Sequence, residues 1–351
     1  MIRLGTRRSK LATAQSTIVA DQLRALGHEV ELVLITTTGD VNRAPVEQIG
    51  GTGIFVSALR DALLANEIDI AVHSLKDLPT QPVDGLTLGA IPVREDPRDV
   101  LVARDGLTLG ELPHGALIGT GAARRVAQID ALGLGVECTG IRGNVDTRIG
   151  LVTDGKLDAV VIARAGLARL GRLGEVTETL DPIQVLPAPG QGALAIECRA
   201  DDTGVLAALA PLEDPATRAA VTAERQLLAT LEAGCTAPVG ALAEVVEGEH
   251  GTELSLRAFA GSEDAGIELR RSLVGPIEEP ERLGRDLAAV LLEDGAAGII
   301  APGSRGPAPG TADAYSGDPP PQASAFVRAL AADTAQPDPS RPRRSPTERS
   351  S

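Results

Sequence analysis

In the stretch EIDIAVHSLKDLPT, residues 67–80, an apolar run ends at an ammonium beside a carboxylate. Ile68 to Val72 reads as a buried strand, and Pro79 blocks further regular pairing. Lys76 can hold an anion. Asp77 would repel that same anion, so it must act on a different part of the ligand. Arginines gather in a comparable way. Arg7 and Arg8 follow the first strand-like run, Arg124 and Arg125 follow a similar one, and Arg142 and Arg148 bound RGNVDTR. Strand-to-helix junctions present free backbone N–H groups and a helix dipole that favour anions. Arginine forks match carboxylates and phosphates bidentately. Several such sites imply a polyanion of modest size. There is no Walker A loop, and no GxGxxG follows the first strand. A nucleotide is therefore disfavoured and a polycarboxylate fits. Cys235, in LEAGCTAPVG, is bracketed by Gly234 and Pro238 on a shaped loop, whereas Cys138 and Cys198 lie in strand-like runs and read as buried structural cysteines. No Cys–His pair can be identified.

These residues need elements to position them. IRLGT reads as a strand, followed after Ser9 by a helix in which Leu11, Ala14, Ile18 and Ala25 share one face. EVELVLITT is a second strand, GIFVSALRDALLANE a helix and IDIAVH a third strand, which is a βαβ pattern with a mostly parallel sheet. The pattern then echoes. IRLGTRRSKLATAQ resembles ALIGTGAARRVAQI, residues 116–129, and EIDIAVHSLKDL resembles KLDAVVIARAGL, residues 156–167. Two similar α/β lobes facing a cleft are expected, with ligand at the carboxyl ends of the strands. The next segment differs: a helix, three strands joined by turns and a closing helix predict a small α+β domain with an antiparallel sheet. From Pro302 to Ser351 the chain holds ten of its 24 prolines and reads as a disordered tail.

Composition narrows the function. The 351 residues carry a net charge of −15, which argues against nucleic-acid or membrane partners. The three cysteines form no CxxC, and no apolar segment resembles a signal peptide or a membrane span. A cytoplasmic protein is expected. The four histidines are scattered, so no metal site is expected.

Taken in order, the motifs TRRS, GDV, GGTGIF, DIAVHSLKDLP, REDPRD, RGNVDTR, AGLARLG, LPAPGQGALAIECR and EAGCTAPVG resemble the hydroxymethylbilane synthase (porphobilinogen deaminase) family over about residues 2–300. The resemblance implies two periplasmic-binding-protein-like lobes, one formed by residues 1–92 and 193–210 and the other by 98–187. It adds a C-terminal cofactor-attachment domain over 214–301. It implies a transferase that condenses four porphobilinogen molecules head to tail with loss of ammonia, giving linear hydroxymethylbilane for tetrapyrrole synthesis, as a monomer. Asp77 matches the catalytic aspartate, which would stabilise the cation left on porphobilinogen when ammonia departs. Cys235 matches the thioether attachment of one covalent dipyrromethane cofactor. Lys76, Ser74, Thr120, Arg124, Arg125, Arg142 and Gly143 match cofactor-binding positions. Arg7, Ser9, Phe55, Arg148, Arg169 and Gln191 match substrate-binding positions.

The chain departs from the family where Gln48 and Thr52 replace common lysines and where GTGA, residues 119–122, replaces GTSS. Two other readings follow from the residues. One is a two-lobed polycarboxylate receptor, which leaves Cys235 without a role. The other is a cofactor-bearing relative that binds pyrroles without turnover.

Overall fold

A computed structural model describes residues 1–35, 54–234, 237–248, 251–262 and 268–300. The described residues belong to one compact unit. The elements in chain order are β1 (Ile2–Thr6), α1 (Lys10–Ala25), β2 (Val30–Leu34), α2 (Ile54–Leu64), β3 (Ile70–Ser74), β4 (Leu86–Ala90) and β5 (Asp99–Ala103). Then come β6 (Leu117–Thr120), α3 (Ala123–Ala131), β7 (Glu137–Gly140), α4 (Val145–Thr153), β8 (Ala159–Ala163), α5 (Arg164–Arg169) and β9 (Glu178–Thr179). The chain continues through β10 (Leu194–Arg199), α6 (Thr203–Leu209), α7 (Pro215–Thr230), β11 (Val239–Gly248), β12 (Gly251–Gly261), β13 (Glu268–Pro276), α8 (Pro280–Glu293) and α9 (Ala296–Ile300).

Two five-stranded sheets have the same plan. The first runs β2-β1-β3-β10-β4 and the second β7-β6-β8-β5-β9. In each, the first three strands are parallel and the fourth is antiparallel to its neighbours. The antiparallel strand enters directly from the other lobe: the chain crosses through 91–98 to reach β5 and returns through 180–193 to reach β10. The central strands are apolar without alternation because both faces are covered. Leu101, Ile118, Ala159 and Val161 pack on one face of the second sheet, and Val100, Val102, Val160 and Ile162 on the other.

The third sheet, β11-β12-β13, is antiparallel, as expected. One face packs on α7 and α8 through Leu227, Leu254, Leu256, Leu287 and Leu291. Leu242 and Phe259 meet Ala127 of α3 and Leu186 of the return crossing. Val221 of α7 meets Leu75 and Leu78 of the first lobe. The third domain thus supports the Lys76–Asp77 turn from below, and Arg225 donates to the carbonyls of Leu78 and Pro79, both at 2.8 Å.

Two local expectations need correction. Helix α1 buries Gln15, Ser16, Val19, Ala20 and Leu23, while Ile18 is exposed. The polar Gln15 is tolerated inside because its amide donates to Ser74 Oγ at 2.7 Å. Strand β3 also runs past Val72. His73 is buried within it, and its Nε2 lies 3.2 Å from the Glu197 carboxylate, itself paired with Arg60. The expected tail, 302–351, and the segment holding Gln48 and Thr52 lie outside the described residues.

Candidate active site

The carboxyl ends of the parallel strands of both lobes open onto one cleft with two chambers, of about 530 and 950 Å³. The smaller is lined by Arg7, Ser9, Ser74, Gly143 and Arg169, among others. The larger is lined by Asp77, Thr120, Arg124 and Gln191. Lys76, Arg125, Arg142 and Arg148 line both and form the wall between them. Each expected site residue whose side chain is described therefore borders the cleft. Phe55 belongs to α2 but its side chain is outside the described set, as is the whole of Cys235. The flanking Gly234 and Ala237 line the larger chamber.

Local sequence accounts for these positions. Strand β3 ends in a 3-10 turn, Leu75–Asp77, whose buried Leu75 anchors it while Asp77 stays exposed. Burial would discharge Lys76, and Arg125 and Arg124 push the same way, whereas Asp77 and Asp99 oppose them. Together these bring the Lys76 ammonium down to about 8. Its Nζ donates to Gln191 Oε1 at 3.2 Å. Ser9 caps α1, accepting from Ala12 N at 3.2 Å, and Asn144 caps α4, accepting from Thr147 N at 2.9 Å. Burial lowers the Arg148 pKa and Arg125 lowers it further, against the pull of Asp77. Arg169 is lowered by burial too, and donates to the Gly192 carbonyl at 2.6 Å.

Arg124 and Arg125 are almost fully buried in the first turn of α3, only 3% and 4% exposed. One carboxylate, that of the fully buried Asp99, takes Arg124 Nη2 at 2.7 Å and Arg125 Nη2 at 2.8 Å. Burial would raise Asp99, but the two guanidiniums hold it far below the usual carboxylate range. Arg125 Nε is buried without an acceptor. A buried donor left unmet on a chamber wall suits an anionic group entering from that chamber.

Sequence reasoning did not single out three residues of this frame. Asp99, the last residue of REDPRD and the first of β5, is one. Arg94 and Glu224 are the others. The fully buried Glu224 takes Arg94 Nη1 at 2.6 Å and Nη2 at 2.9 Å, and accepts from Gly190 N and Ala243 N. That joins the return crossing to the third domain. The PGQG turn within the crossing needs its glycines. Gly192 has φ +89°, and a Cβ there would lie 2.3 Å from the Glu95 carbonyl. The two described cysteines, Cys138 and Cys198, are poor nucleophiles. Burial and the neighbouring Asp130 push the Cys138 thiol up to about 12, and burial lifts Cys198 to about 11.

These features define a two-lobed α/β protein with a cation-walled cleft whose larger chamber holds the exposed carboxylate of Asp77. Comparison with known proteins narrows the class. Residues 2–207 match the porphobilinogen deaminase, dipyromethane cofactor binding domain, and residues 218–293 match the porphobilinogen deaminase C-terminal domain. The chain is 60% identical to porphobilinogen deaminase 1 of Streptomyces avermitilis, over 85% of this chain and 97% of that one. It is 59% identical to porphobilinogen deaminase of Nocardia farcinica, over 85% and 88%. A nutrient binding protein from Burkholderia cenocepacia, solved bound to methionine, aligns over 60% of this chain and 90% of that one at 12% identity and TM-score 0.38. The chain belongs to the porphobilinogen deaminase family.

Proposed function

We propose that this cleft performs the hydroxymethylbilane synthase reaction, condensing four porphobilinogen molecules head to tail with release of ammonia. The observation that carries the reading is the wall between the chambers, where Lys76 and three arginines stand beside the exposed carboxylate of Asp77. Porphobilinogen carries acetate and propionate carboxylates and an aminomethyl group. The cations suit the first two and Asp77 suits the third.

Loss of ammonia breaks a C–N bond and leaves positive charge on the substrate's pyrrole and methylene carbon. A fixed carboxylate stabilises that charge as it develops, an effect of several kcal/mol in a water-poor site. Asp77 also assists the proton that leaves with the amine. Lys76, titrating at about 8, is mostly an ammonium at neutral pH and holds a carboxylate in that state. Arg142 and Arg148 reach ligand in either chamber, while Arg7, Ser9 and Arg169 serve the smaller one. Gln191 orients Lys76.

The basic lining and the buried, unmet Arg125 Nε fit a dipyrromethane, whose propionates and acetates are anionic. Lys76, Ser74, Thr120, Arg124, Arg125, Arg142 and Gly143 would hold it, and Cys235 would carry it. When bound, this group supplies the free pyrrole α-carbon that accepts the first substrate unit. The raised thiols of Cys138 and Cys198 make them poor competitors for attachment. The bond made is carbon–carbon and the group moved is a pyrrolylmethyl unit, which makes the enzyme a transferase. The cysteine count favours the cytoplasm, and the family resemblance favours a monomer.

The test has two parts. Incubation with porphobilinogen should release ammonia and yield a product that cyclises and, after added oxidant, absorbs as uroporphyrin. Intact mass and peptide mapping should place a two-pyrrole adduct on Cys235, with Cys138 and Cys198 unmodified. Active protein with an unmodified Cys235 would refute the attachment. A loaded protein without turnover would refute the activity.

A further inference from the structure

We propose that Asp99 is the positioning residue of this site, fixing through one carboxylate the cations that both lobes contribute to the chamber wall. The inference rests on the function proposed above and concerns a residue to which that reading assigns no task. Asp99 stands where the two crossing segments meet, fully buried at the start of β5. Its Oδ2 takes Arg124 Nη2 at 2.7 Å. Its Oδ1 takes Arg125 Nη2 at 2.8 Å and Gln191 Nε2 at 2.7 Å. The far end of the Gln191 amide accepts from Lys76 Nζ at 3.2 Å. Arg124 and Arg125 belong to the second lobe, Lys76 to the first, and Gln191 to the return crossing. One carboxylate thus sets four side chains from three parts of the chain.

Charge explains why a single acid stands here. Two buried guanidiniums without a counter-ion would be strongly unfavourable. Two acids would neutralise them and leave neither arginine a net charge with which to attract ligand. One acid compensates half the charge, and the remainder, with Lys76, faces the chambers. The remaining contacts of the arginines are backbone carbonyls: Arg124 Nη1 donates to Leu186 and Arg125 Nη1 to Val161, the latter at 2.9 Å. Gln191 Nε2 also donates to the Pro97 carbonyl at 2.7 Å. These neutral partners fix geometry without cancelling charge, so the site's charge balance rests on Asp99.

A merely structural acid and a positioning one differ in what they do to Lys76. The groups acting on its charge are Asp77 beside it, Arg125 and Arg124 from α3, and Asp99. Asp99→Asn removes a group that favours the ammonium and leaves the two arginines that oppose it countered by Asp77 alone. The Lys76 titration midpoint should then fall from about 8 by about one pH unit or more.

The experiment is competitive acetylation of the purified full-length protein across pH. Peptide mass spectrometry reads Lys76, and steady-state kinetics with porphobilinogen run beside it. The parent protein's own turnover and adduct mass report separately on the function proposed above. For Asp99→Asn the expected result is the lowered Lys76 midpoint with KM raised about tenfold or more. An unchanged midpoint and KM would overturn the proposal. Should Asp99→Asn fail to fold, Gln191→Leu decides, because it keeps both arginine pairs and cuts the link from Asp99 to Lys76, along with the contact to the Pro97 carbonyl. KM should then rise about fivefold with kcat within about twofold, and a parental KM in that variant would overturn the positioning role.

Discussion

The two lobes share a frame and present different residues at their strand ends. Pairing register aligns Leu4 and Gly5 of β1 with Ile70 and Ala71 of β3, and Ile118 and Gly119 of β6 with Ala159 and Val160 of β8. Counting along from these pairs, Lys76 and Asp77 in the first lobe correspond to Ala165 and Gly166 in the second. Arg7 and Arg8 correspond to Gly121 and Ala122. The arginine pairs that look repeated in the sequence are therefore not equivalent. In the first lobe they precede the helix, where Arg8 is exposed and lines neither chamber. In the second they lie inside the first helical turn, which is why they are buried and need Asp99. A repeated fold has kept its supports and changed what it presents at the strand ends.

That comparison is most exposed at Asp77. If the first lobe supplies the reacting carboxylate and the second mainly holds anions, the two should fail differently. Asp77→Asn should lower single-turnover ammonia release by about a hundred- to a thousandfold, equivalent to 3–4 kcal/mol of lost transition-state stabilisation. Folding should survive, since Asp77 is exposed. Arg148→Gln should act chiefly on KM, by about tenfold, as expected for one charge-assisted hydrogen bond. Both variants must first be shown to carry the cofactor. Parental ammonia release by a loaded Asp77→Asn protein would break the division.

The shared frame predicts matched losses of stability. A Cβ on Gly5 would lie 2.3 Å from Ile68 Cδ1, and one on Gly119 2.6 Å from Leu157 Cδ1. Gly5→Ala and Gly119→Ala should each destabilise by about 1–3 kcal/mol in denaturant unfolding, the usual penalty for overpacking. Tolerance in one lobe alone would mean the equivalence is only topological.

Acid stability sharpens the comparison further. Asp69 accepts from Arg3 N and Asp158 from Leu117 N, each at 2.8 Å, so both hold the first strand of their lobe. Burial alone would raise the Asp69 carboxyl, but hydrogen bonds from Arg3 and Arg199 bring it down to about 2. Asp158 is lowered by the Leu117 N–H and by Arg104. A carboxyl lowered by folding stabilises fully above its unfolded pKa of about 4 and loses that contribution as pH falls through the folded value. Asp69→Asn should therefore cost about 2 kcal/mol at neutral pH and flatten the acid limb of stability between about pH 4 and 2. Asp158→Asn should do the same more weakly, because its carboxylate is more exposed than that of Asp69.

Much of this was legible beforehand because it is local. Apolar runs such as IDIAV and AVVIA announce buried strands, and the Gly-Thr and apolar-Asp echoes mark positions with the same physical jobs in both lobes. Lys76 and Asp77 stood out because charge at the end of a buried run is uneconomical without a ligand. What stayed hidden is non-local. Asp99 earns its place from residues 25, 26 and 92 positions away in the chain. Glu224 is hidden within a helix pattern, and its partner Arg94 is 130 residues distant. Gln15 and His73 broke the expected burial pattern because each has a polar partner on another element, which no periodicity reveals.

The smallest effect tests how the lobes meet rather than how each is built. Lys10, the first residue of α1, donates to Asp146 in the first turn of α4 at 2.7 Å, and so joins one lobe to the other beside the smaller chamber. The two side chains are 78% and 43% exposed. Asp146 is also held by Arg172 of its own lobe, so it does not depend on Lys10 for a partner. Water screens such a pair, and ordering two side chains offsets part of the attraction. A double-mutant cycle of Lys10→Gln and Asp146→Asn, read by denaturant unfolding at low salt, should give a coupling of about 0.2–1 kcal/mol. At molar salt, where the screening length falls to about 3 Å, the coupling should largely vanish. A coupling above about 2 kcal/mol, or one that survives molar salt, would show that this contact clamps the lobes rather than merely touching between them.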